Sequence, residues 1–531
     1  MPPERQRRGL AWFVAAGAAG AVLGVATPAS AQSSYRLAPV GGRSQLLGGT
    51  GLTFGRDAAA SFLNPATAVL VDDQRLSFSA NFYRFTYTVA SHWYAPGPID
   101  RSKFGNVNVR STSLTDLDFD SLPSSLCFFF TSSKLHFVPS AAKDPGTRGA
   151  HVGLCFATID AGEFNFGADD FSEVRSSGSV TRQAQTLSQK YTKFAAGPTY
   201  AIRVNNALSL GASVHASVTS FKSLLASSAS TYGSIATPIT SSFYGASKGA
   251  AFQLDATLGA TLRFGHQTLG LSVRTPSVHV FGRGGVNRDT TYDGAGTETM
   301  QLAANGSFRA QSPLRIGLGT GVEGGWGQLE VNAFYSTQLG DSYRAQMDGT
   351  QTTTTPNGVT DIPVHLDLGQ KSKSVVNLAA GGELFMSERI SLLTGFSTDV
   401  SATPKGAIQG TLFNYFGYGA NRVIGTLGVG THGERGELMV GTELTYGWGH
   451  RVAVNSYQLP PEIGVADYDT YQVMVIVAGS TSLRALKKVV EDVKKVVNEP
   501  TPQKPVSAPK PQDPASSPTP QKPVELPDLT K

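Results

Sequence analysis

Hydrophobic and polar residues alternate strictly along several stretches of this chain. From Phe252 to Phe264 every second residue is apolar, and the residues between them include Asp255 and Arg263. A period of two is that of a β-strand, whose successive side chains point to opposite faces. Because a charged side chain is costly in a dry core, we expect the polar face to meet water or a hydrated lumen.

Alternating segments recur often enough to define a complete fold. Each is long enough to cross a bilayer as a strand, which takes about 9–11 residues. Single-chain bacterial barrels have an even number of strands. The pattern therefore predicts an all-β protein, a fourteen-stranded antiparallel transmembrane β-barrel at 75–482. The predicted strands lie near residues 75–90, 121–133, 148–160, 188–204, 206–222, 248–264, 267–285, 296–323, 325–340, 371–387, 389–403, 418–431, 435–452 and 466–482.

The predicted connections alternate in length. Those after the even-numbered strands are tight turns, except near 134–147, and several of the others are long: 91–120, 161–187, 223–247 and 341–370. This asymmetry is typical of outer-membrane barrels and places both barrel termini on the periplasmic side. A soluble sandwich or propeller has no reason to keep long loops on one end alone.

Composition agrees with a barrel wall. Only 16% of residues are charged, against roughly 25% in soluble domains, and glycine accounts for 59 of 531 residues. This disfavours a cytosolic multidomain enzyme. No apolar run reaches the length of about 18 residues that a transmembrane helix requires.

The net charge of +5 comes from the two ends of the chain. Residues 1–31 combine basic residues, a short apolar stretch and Ala29-Ser30-Ala31, which is typical of a secretory signal peptide. Residues 32–482 carry no net charge, so we expect no nucleic-acid partner.

The C-terminal segment carries the remaining positive charge in two parts. Residues 483–498 have helical period and predict a short amphipathic helix. Residues 499–531 are rich in proline and predict a disordered tail. We expect this tail in the periplasm, either as a simple spacer or as a ligand for a periplasmic or cell-wall partner.

Residues 32–74, before the first strand, do not alternate, and a family resemblance rests chiefly on them. The segment holds Asp57-Ala58, then Phe62, then Asn64-Pro65-Ala66. In order and spacing it resembles the N-terminal hatch of the OmpP1/FadL/TodX family of outer-membrane transporters. Two further stretches, 270–276 and 393–397, are similar to strands of that family.

The resemblance implies a hatch that plugs the lumen, with Asp57, Phe62, Asn64, Pro65 and Ala66 as its motif. An Asn-Pro turn that only packs the plug is the alternative role of 64–66. The resemblance also implies passive uptake of long-chain fatty acids or other hydrophobic compounds across the outer membrane of a Gram-negative bacterium. Substrate would bind in the lumen, the hatch would rearrange, and the molecule would leave sideways through the wall.

The expected partners follow from this resemblance. They are hydrophobic small molecules, outer-membrane lipid and lipopolysaccharide, and the barrel-assembly machinery. The chain departs from the family in one respect, because it continues past its last strand where family members commonly end on an aromatic residue. That departure puts the assembly signal in doubt.

Two other functions stay open from the residues alone. A hydrophilic porin would use the predicted lumen-facing charges Asp255, Arg263, Glu330 and Glu443. A structural protein would instead tether periplasmic partners through its tail. We expect no enzyme, no cofactor and no metal site, because the sequence has no His/Cys metal spacing, nucleophile elbow or Walker sequence. The two G-x-G-x-x-G matches, at 319–324 and 428–433, follow no strand-turn-helix pattern and so predict no dinucleotide site.

Smaller features give further expectations. Cys127 and Cys155 are predicted roughly opposite each other, so a disulfide and two separate thiols both remain open. Asp116, Asp118 and Asp120 are expected in a solvated loop rather than a calcium site. The segment 92–94 and Trp448 suit an aromatic girdle at the membrane interface.

Overall fold

The computed structural model describes residues 40–71, 74–91, 107–109, 113–132, 150–174, 179–232, 239–293, 296–402, 404, 418–433, 436–455 and 462–482. The predicted signal peptide, the segments 483–498 and 499–531, and the aromatic segment 92–94 lie outside the described residues. None of the described helices is long and apolar enough to cross a membrane.

The described strands form one closed antiparallel sheet, in which β1 pairs with both β3 and β19. The strands are β1 Arg75–Ser91, β2 Val107–Val109, β3 Ser113–Ser132, β4 Ala150–Val174, β5 Ser179–Arg203, β6 Leu208–Tyr232, β7 Ile239–Phe264, β8 Gln267–Arg274, β9 Val278–Asp293, β10 Thr297–Ala310, β11 Arg315–Gly324, β12 Gly327–Ser336, β13 Leu339–Thr355, β14 Gly358–Ser372, β15 Val375–Phe385, β16 Ile390–Asp399, β17 Tyr418–Gly433, β18 Gly436–Asn455 and β19 Glu462–Ser482.

The predicted count of fourteen crossings is confirmed. Four crossings are interrupted and appear as the pairs β8–β9, β10–β11, β12–β13 and β14–β15, while β2 is a short strand outside the count. We call the end of the barrel with the connections at 204–207, 265–266, 325–326 and 386–389 the turn end. The other end is the loop end.

Several strands extend further toward the loop end than the sequence predicts. The expected loops 161–187, 223–247 and 341–370 are largely strand, and Asp116, Asp118 and Asp120 lie within β3 rather than in a loop. Residues Gly358–Pro363 of β14 show the physical reason, since they are exposed on both faces. A strand solvated on both faces has no need for hydrophobic alternation, so its sequence looks like a loop.

Toward the turn end, the barrel wall is apolar outside and largely polar inside. On β7, Leu254 and Leu258 are exposed on the outer face, while Asp255 and Thr257 between them are buried on the inner face. The same inversion runs through β8, β12 and β18. An apolar outer band around a polar interior is the arrangement of membrane-spanning barrels.

The N-terminal residues 40–71, which we call the hatch, fill the lumen near the turn end. They form two short helices, α1 Gly42–Leu46 and α2 Ala59–Phe62, and a 3₁₀ helix at Pro65–Leu70. Helix α1 contacts β16 to β19, and the 3₁₀ helix contacts β4 to β7. The hatch therefore touches opposite sides of the wall and blocks the passage between them.

The four interrupted crossings break at one level. The gaps fall at 275–277, 311–314, 337–338 and 373–374, and they are neighbours because Arg315 lies opposite Arg274 on one side and Ser336 on the other. Pro276 and Pro313 account for two of the breaks, since proline cannot donate to a ladder. This level lies just above the hatch.

Candidate functional site: the plugged lumen

Paired glycines on the inner wall create the space that the hatch occupies. Four pairs lie directly opposite each other on neighbouring strands, and a Cβ on any of these glycines would press against the hatch or against the side chains packed beside it. We call these pairs the glycine seats. They are Gly211–Gly259, Gly270–Gly319, Gly381–Gly395 and Gly428–Gly441.

The predicted hatch motif fits one of these seats. Asn64 caps the 3₁₀ helix by accepting from the Ala66 backbone N–H at 3.1 Å. Its amide also donates to the Ala260 carbonyl of the wall at 3.3 Å. A Cβ on Gly259 would collide with Asn64, and one on Gly211 would collide with Pro65. The Asn-Pro-Ala turn is thus both a helix cap and a contact with the wall.

The two G-x-G-x-x-G segments have a structural role. Gly319 and Gly321 lie on β11, where added Cβ atoms would meet Leu52 and Phe54 of the hatch. Gly428 on β17 faces Leu46 of α1. At these positions, glycine leaves room on the inner wall for the hatch.

Glu330, a predicted lumen residue, holds the hatch by its backbone. Its carboxylate accepts from the N–H groups of Gly51 and Thr53, both at 2.9 Å, and of Phe54 at 3.3 Å. It is 3% exposed. A buried carboxylate needs such donors, because without them its desolvation is not offset.

Two further wall carboxylates contact side chains of α1. Glu383 forms an ion pair with Arg43, and both are buried. Glu443, the second predicted lumen residue of this group, accepts from the Gln45 amide at 3.3 Å. Glu383 carried no distinguishing sequence signal, because its importance depends on Arg43 lying far away in the sequence.

Asp255 belongs to a buried network that meets the hatch. It forms a bidentate ion pair with Arg274, at 2.9 and 2.8 Å. His215 lies beside it, with Nδ1 3.5 Å from the carboxylate. The other His215 nitrogen contacts the Ser61 hydroxyl of α2 at 3.1 Å. Phe62 stacks on the same imidazole, with ring centroids 4.4 Å apart.

Asp57 organises the hatch internally. Its carboxylate accepts from the backbone N–H of Ser44 at 3.1 Å and of Ala59 at 2.9 Å. Burial raises the pKa of this carboxyl, against the opposing effect of these hydrogen bonds and of Arg43. The motif aspartate therefore joins α1 to α2 rather than contacting the wall.

Arg263 lies at the rim of the turn end, where its side chain is half exposed. Glu323 is 3.7 Å from it and also accepts from Arg56 of the hatch at 2.5 Å. Arg263 thus contributes charge at the periphery and does not line the buried lumen with Asp255.

The inner wall toward the loop end is apolar, which the sequence did not predict. Inward side chains of neighbouring strands form one buried cluster, and Phe308 and Tyr343 stack in it with centroids 6.2 Å apart. Sequence alternation was ambiguous here, because an apolar residue on a barrel strand can face either lipid or lumen. The cluster includes Phe221, Leu225, Phe243, Val286, Leu302, Phe308, Tyr343, Met347 and Leu366.

Three smaller features named in the sequence analysis involve residues that the structure describes. Cys127 and Cys155 are opposite each other on β3 and β4, with Cα atoms 4.2 Å apart, and their sulfurs are joined. Trp448 is on the outer face and stacks on Tyr446 at 5.6 Å. Within the described ranges, no cluster of His, Cys, Asp and Glu could hold a metal ion.

By its fold, the protein is a fourteen-stranded antiparallel barrel of the membrane-spanning kind, with its own N-terminal segment inside the lumen. No protein-family model matches the chain, and no curated protein matches it. The crystal structure of a Pseudomonas aeruginosa FadL homologue is similar, with a TM-score of 0.52 at 14% identity, covering 86% of this chain and 100% of that one.

Two solved toluene transporters are also similar. Ralstonia pickettii TbuX has a TM-score of 0.46 at 14% identity, covering 83% of this chain and 98% of that one. Pseudomonas putida TodX has 0.47 at 11% identity, covering 86% and 100%. The fold assignment rests on the comparison with the FadL homologue. At the level of the fold, this comparison confirms the resemblance stated from the sequence.

Proposed function

We propose that this protein is a channel of a Gram-negative outer membrane for passive uptake of long-chain fatty acids or other hydrophobic compounds. The observation that carries the proposal is the buried apolar cluster around Phe308, directly above a lumen that the hatch blocks. A hydrophobic molecule entering from the loop end would bind the apolar cluster, whereas the hatch blocks the passage of water and ions. The turn end then faces the periplasm.

The geometry favours this function over a hydrophilic porin. In a porin the lumen charges face water. Here Asp255 is paired with Arg274, Glu330 binds hatch amides, and Glu443 contacts Gln45. These charges fix the plug in place.

Transport is also favoured over catalysis, although Ser61, His215 and Asp255 are arranged like a hydrolytic triad. Ser61 is fully buried. The N–H groups of Ser61 and Phe62 both donate to the Ala58 carbonyl, so neither is available to stabilise an oxyanion. The three side chains join α2 to the wall.

The similar structures support the same class of cargo. Their names describe a FadL homologue and transporters of toluene. The proposed cargo is either a carboxylated chain or a neutral hydrocarbon, because apolar side chains attract the hydrocarbon part of both. The predicted role of the tail at 483–531 as a periplasmic tether is a separate proposal, tested by co-sedimentation of that peptide with cell wall. A peptide that stays soluble contradicts it.

Reconstituted vesicles test the transport proposal. We expect intact protein to accelerate transfer of a fluorescent long-chain fatty acid into vesicles while leaving a trisaccharide outside. A fast sugar flux without fatty-acid binding would instead identify a hydrophilic porin.

A further inference from the structure

The outer face of the wall changes from apolar to polar along the strands. Toward the turn end it is apolar, as Phe264, Leu258 and Leu254 of β7 show. Toward the loop end it carries polar or small residues, which on β10 are Arg309, Ser307, Asn305, Ala303 and Gln301. The level at which one zone gives way to the other is the edge of the lipid-facing band.

A row of cations lies at this edge on six neighbouring crossings. Each cation lies a similar number of residues from the turn-end boundary of its crossing, from 14 for Lys222, counted from Leu208, to 17 for Arg344, counted from Gly327. Because these distances along the strands agree, the six residues lie at one height on the barrel. We call them the basic belt: Lys222, Lys248, Arg283, Arg309, Arg344 and Lys371.

The belt side chains point away from the lumen. Phe221, Phe308 and Tyr343 belong to the buried cluster inside the barrel. The belt residue that follows each of them therefore points outward, because successive side chains of a strand alternate between the two faces. The other three belt residues are exposed: Lys248, Arg283 and Lys371.

Most of the positive charge in the belt is not neutralised by the protein. Arg344 forms ion pairs with Asp341 and Asp367, at 3.7 and 2.7 Å. Within the described ranges, the other five cations form no ion pair and no side-chain hydrogen bond. The belt therefore has unused donors on an exposed surface.

Like charges face each other within the belt. Lys222 lies directly opposite Lys248, and Arg309 lies directly opposite Arg344. Such partners in an antiparallel pair have Cβ atoms about 4.5–5.5 Å apart, and like charges at that distance are destabilising. A bound anion would remove this cost, so the arrangement indicates a ligand that carries several negative charges.

The height of the belt indicates the layer of the membrane that it meets. At about 3.3 Å per residue and a strand tilt of about 35–45°, the belt lies roughly 33–46 Å above the turn end. The hydrocarbon core of a bilayer is about 30 Å thick, and a bilayer with its headgroups about 40–45 Å. The belt therefore lies among the headgroups of the leaflet on the loop side.

Aromatic residues support this placement. The rings of Phe252 and Phe281 stack on the turn-end side of Lys248 and Arg283, with centroids 5.3 Å apart. Phe281 is 65% exposed. Aromatic residues at the edge of the apolar band are typical of the membrane interface.

The belt occupies one side of the barrel. At the same height on β18 and β19 lie His450 and Asp467, which contact each other through the imidazole Nδ1 and the carboxylate. Asp469 accepts from the Tyr446 hydroxyl nearby, at 3.0 Å. Cations that served only to anchor the barrel among headgroups would have no reason to avoid this side, so the asymmetry favours a localised binding site.

We propose that the basic belt binds lipopolysaccharide through the phosphate groups of its lipid anchor. The inference rests on the outer-membrane location and orientation given in the proposed function, and not on the cargo. Phosphates of one leaflet lie at one height, as the belt residues do, and a guanidinium binds a phosphate with two parallel hydrogen bonds. The acyl chains would cover the apolar band below the belt.

A double substitution tests the site. Arg283→Gln with Arg309→Gln removes two belt cations that have no ion-pair partner in the described wall. Arg263→Gln with Arg389→Gln is the matched control, because both arginines are exposed at the turn end. Each purified protein, in a non-ionic detergent, is titrated with lipopolysaccharide, with its dephosphorylated form and with inorganic phosphate, and the thermal midpoint reports binding.

We expect lipopolysaccharide to raise the thermal midpoint of the parent and of the turn-end variant equally. The belt variant should bind it about thirtyfold more weakly, at roughly fivefold for each cation near an anionic surface. Added salt should weaken binding to the parent, because exposed charges are screened. Without lipid, the belt variant should unfold at or above the parental midpoint, since it loses the repulsion between Arg309 and Arg344.

Equal affinity of the belt and turn-end variants for lipopolysaccharide would overturn the inference, as would equal binding of the dephosphorylated lipid by the parent. A lower midpoint of the belt variant without lipid would identify a structural role instead. A midpoint shift with inorganic phosphate alone, at the same concentration, would identify a site for free anions. A parent that binds lipopolysaccharide but transfers no fatty acid into vesicles would refute the transport function and leave this inference standing.

Discussion

The two halves of this lumen are lined by different kinds of residue. The half toward the turn end has glycine on the wall and charged or polar side chains aimed at the hatch, such as Glu330 and Glu383. The half toward the loop end has inward aromatic and aliphatic side chains, such as Phe308 and Leu302. The first half fits a protein segment closely, and the second packs apolar side chains into the lumen.

The contacts in the first half show how the plug is held. Glycine seats give close contact, apolar hatch residues such as Leu46 and Phe62 are buried against the wall, and the charged side chains fix the position of the hatch. Buried ion pairs add little net stability because desolvation offsets them, but removing one partner is costly. The position of the hatch is thus set by polar contacts together with apolar packing, and under the proposed function the other half binds the cargo.

Substitution of a glycine seat is expected to have the largest effect. The valine side chain in Gly395→Val would collide with the backbone of Gly48. Because the hatch could then not occupy its position in the lumen, ion conductance in planar bilayers should rise severalfold. The matched control is Gly425→Val on β17, where no atom lies within 4 Å of an added Cβ. Parental conductance in both variants would show that the seats do not hold the plug.

Loss of the Glu330 carboxylate should loosen the hatch without expelling it. Glu330→Ala removes the acceptor of three hatch N–H groups, at about 1–3 kcal/mol for each donor left unsatisfied. Hydrogen exchange of a peptide spanning 50–56 should therefore become faster. Glu330→Gln keeps one acceptor oxygen and should give a smaller change. Unaltered exchange in Glu330→Ala would contradict the assigned role.

Truncation in the loop half should affect binding and leave the plug intact. Phe308→Ala removes buried apolar surface from the cluster, which is worth about 1.5–3 kcal/mol for a large apolar side chain. We expect fatty-acid affinity to fall about tenfold in a fluorescence titration, at parental conductance. Phe264→Ala, on the exposed outer face, is the control. A variant that binds as tightly as this control would place the binding surface elsewhere.

The cysteine pair should give the smallest effect, since it belongs to the wall. Cys127→Ser with Cys155→Ser should lower the thermal midpoint by a few degrees, because the crosslink restricts the unfolded chain. Probe binding and conductance should stay parental. Intact mass before and after reduction of the parent reports the bond directly, and a parent that gains no hydrogens would show two free thiols.

The sequence predicted the wall well because a lipid-facing strand needs strict alternation, as from Phe252 to Phe264. It predicted the hatch from Asn64-Pro65-Ala66 by resemblance. It could not predict the Arg43–Glu383 pair, whose partners are 340 residues apart. It also could not assign Phe308 to the lumen, because alternation alone does not distinguish the two faces where both are apolar.

Deletion of residues 40–71 tests most directly the claim that the hatch closes the barrel while the apolar cluster around Phe308 binds the cargo. In planar bilayers and in a parallel fatty-acid titration, we predict a severalfold rise in conductance with probe affinity retained, because the plug leaves and the cluster around Phe308 remains. Unchanged conductance in the folded deletion variant would contradict the account, since it would mean that something other than the hatch closes this barrel.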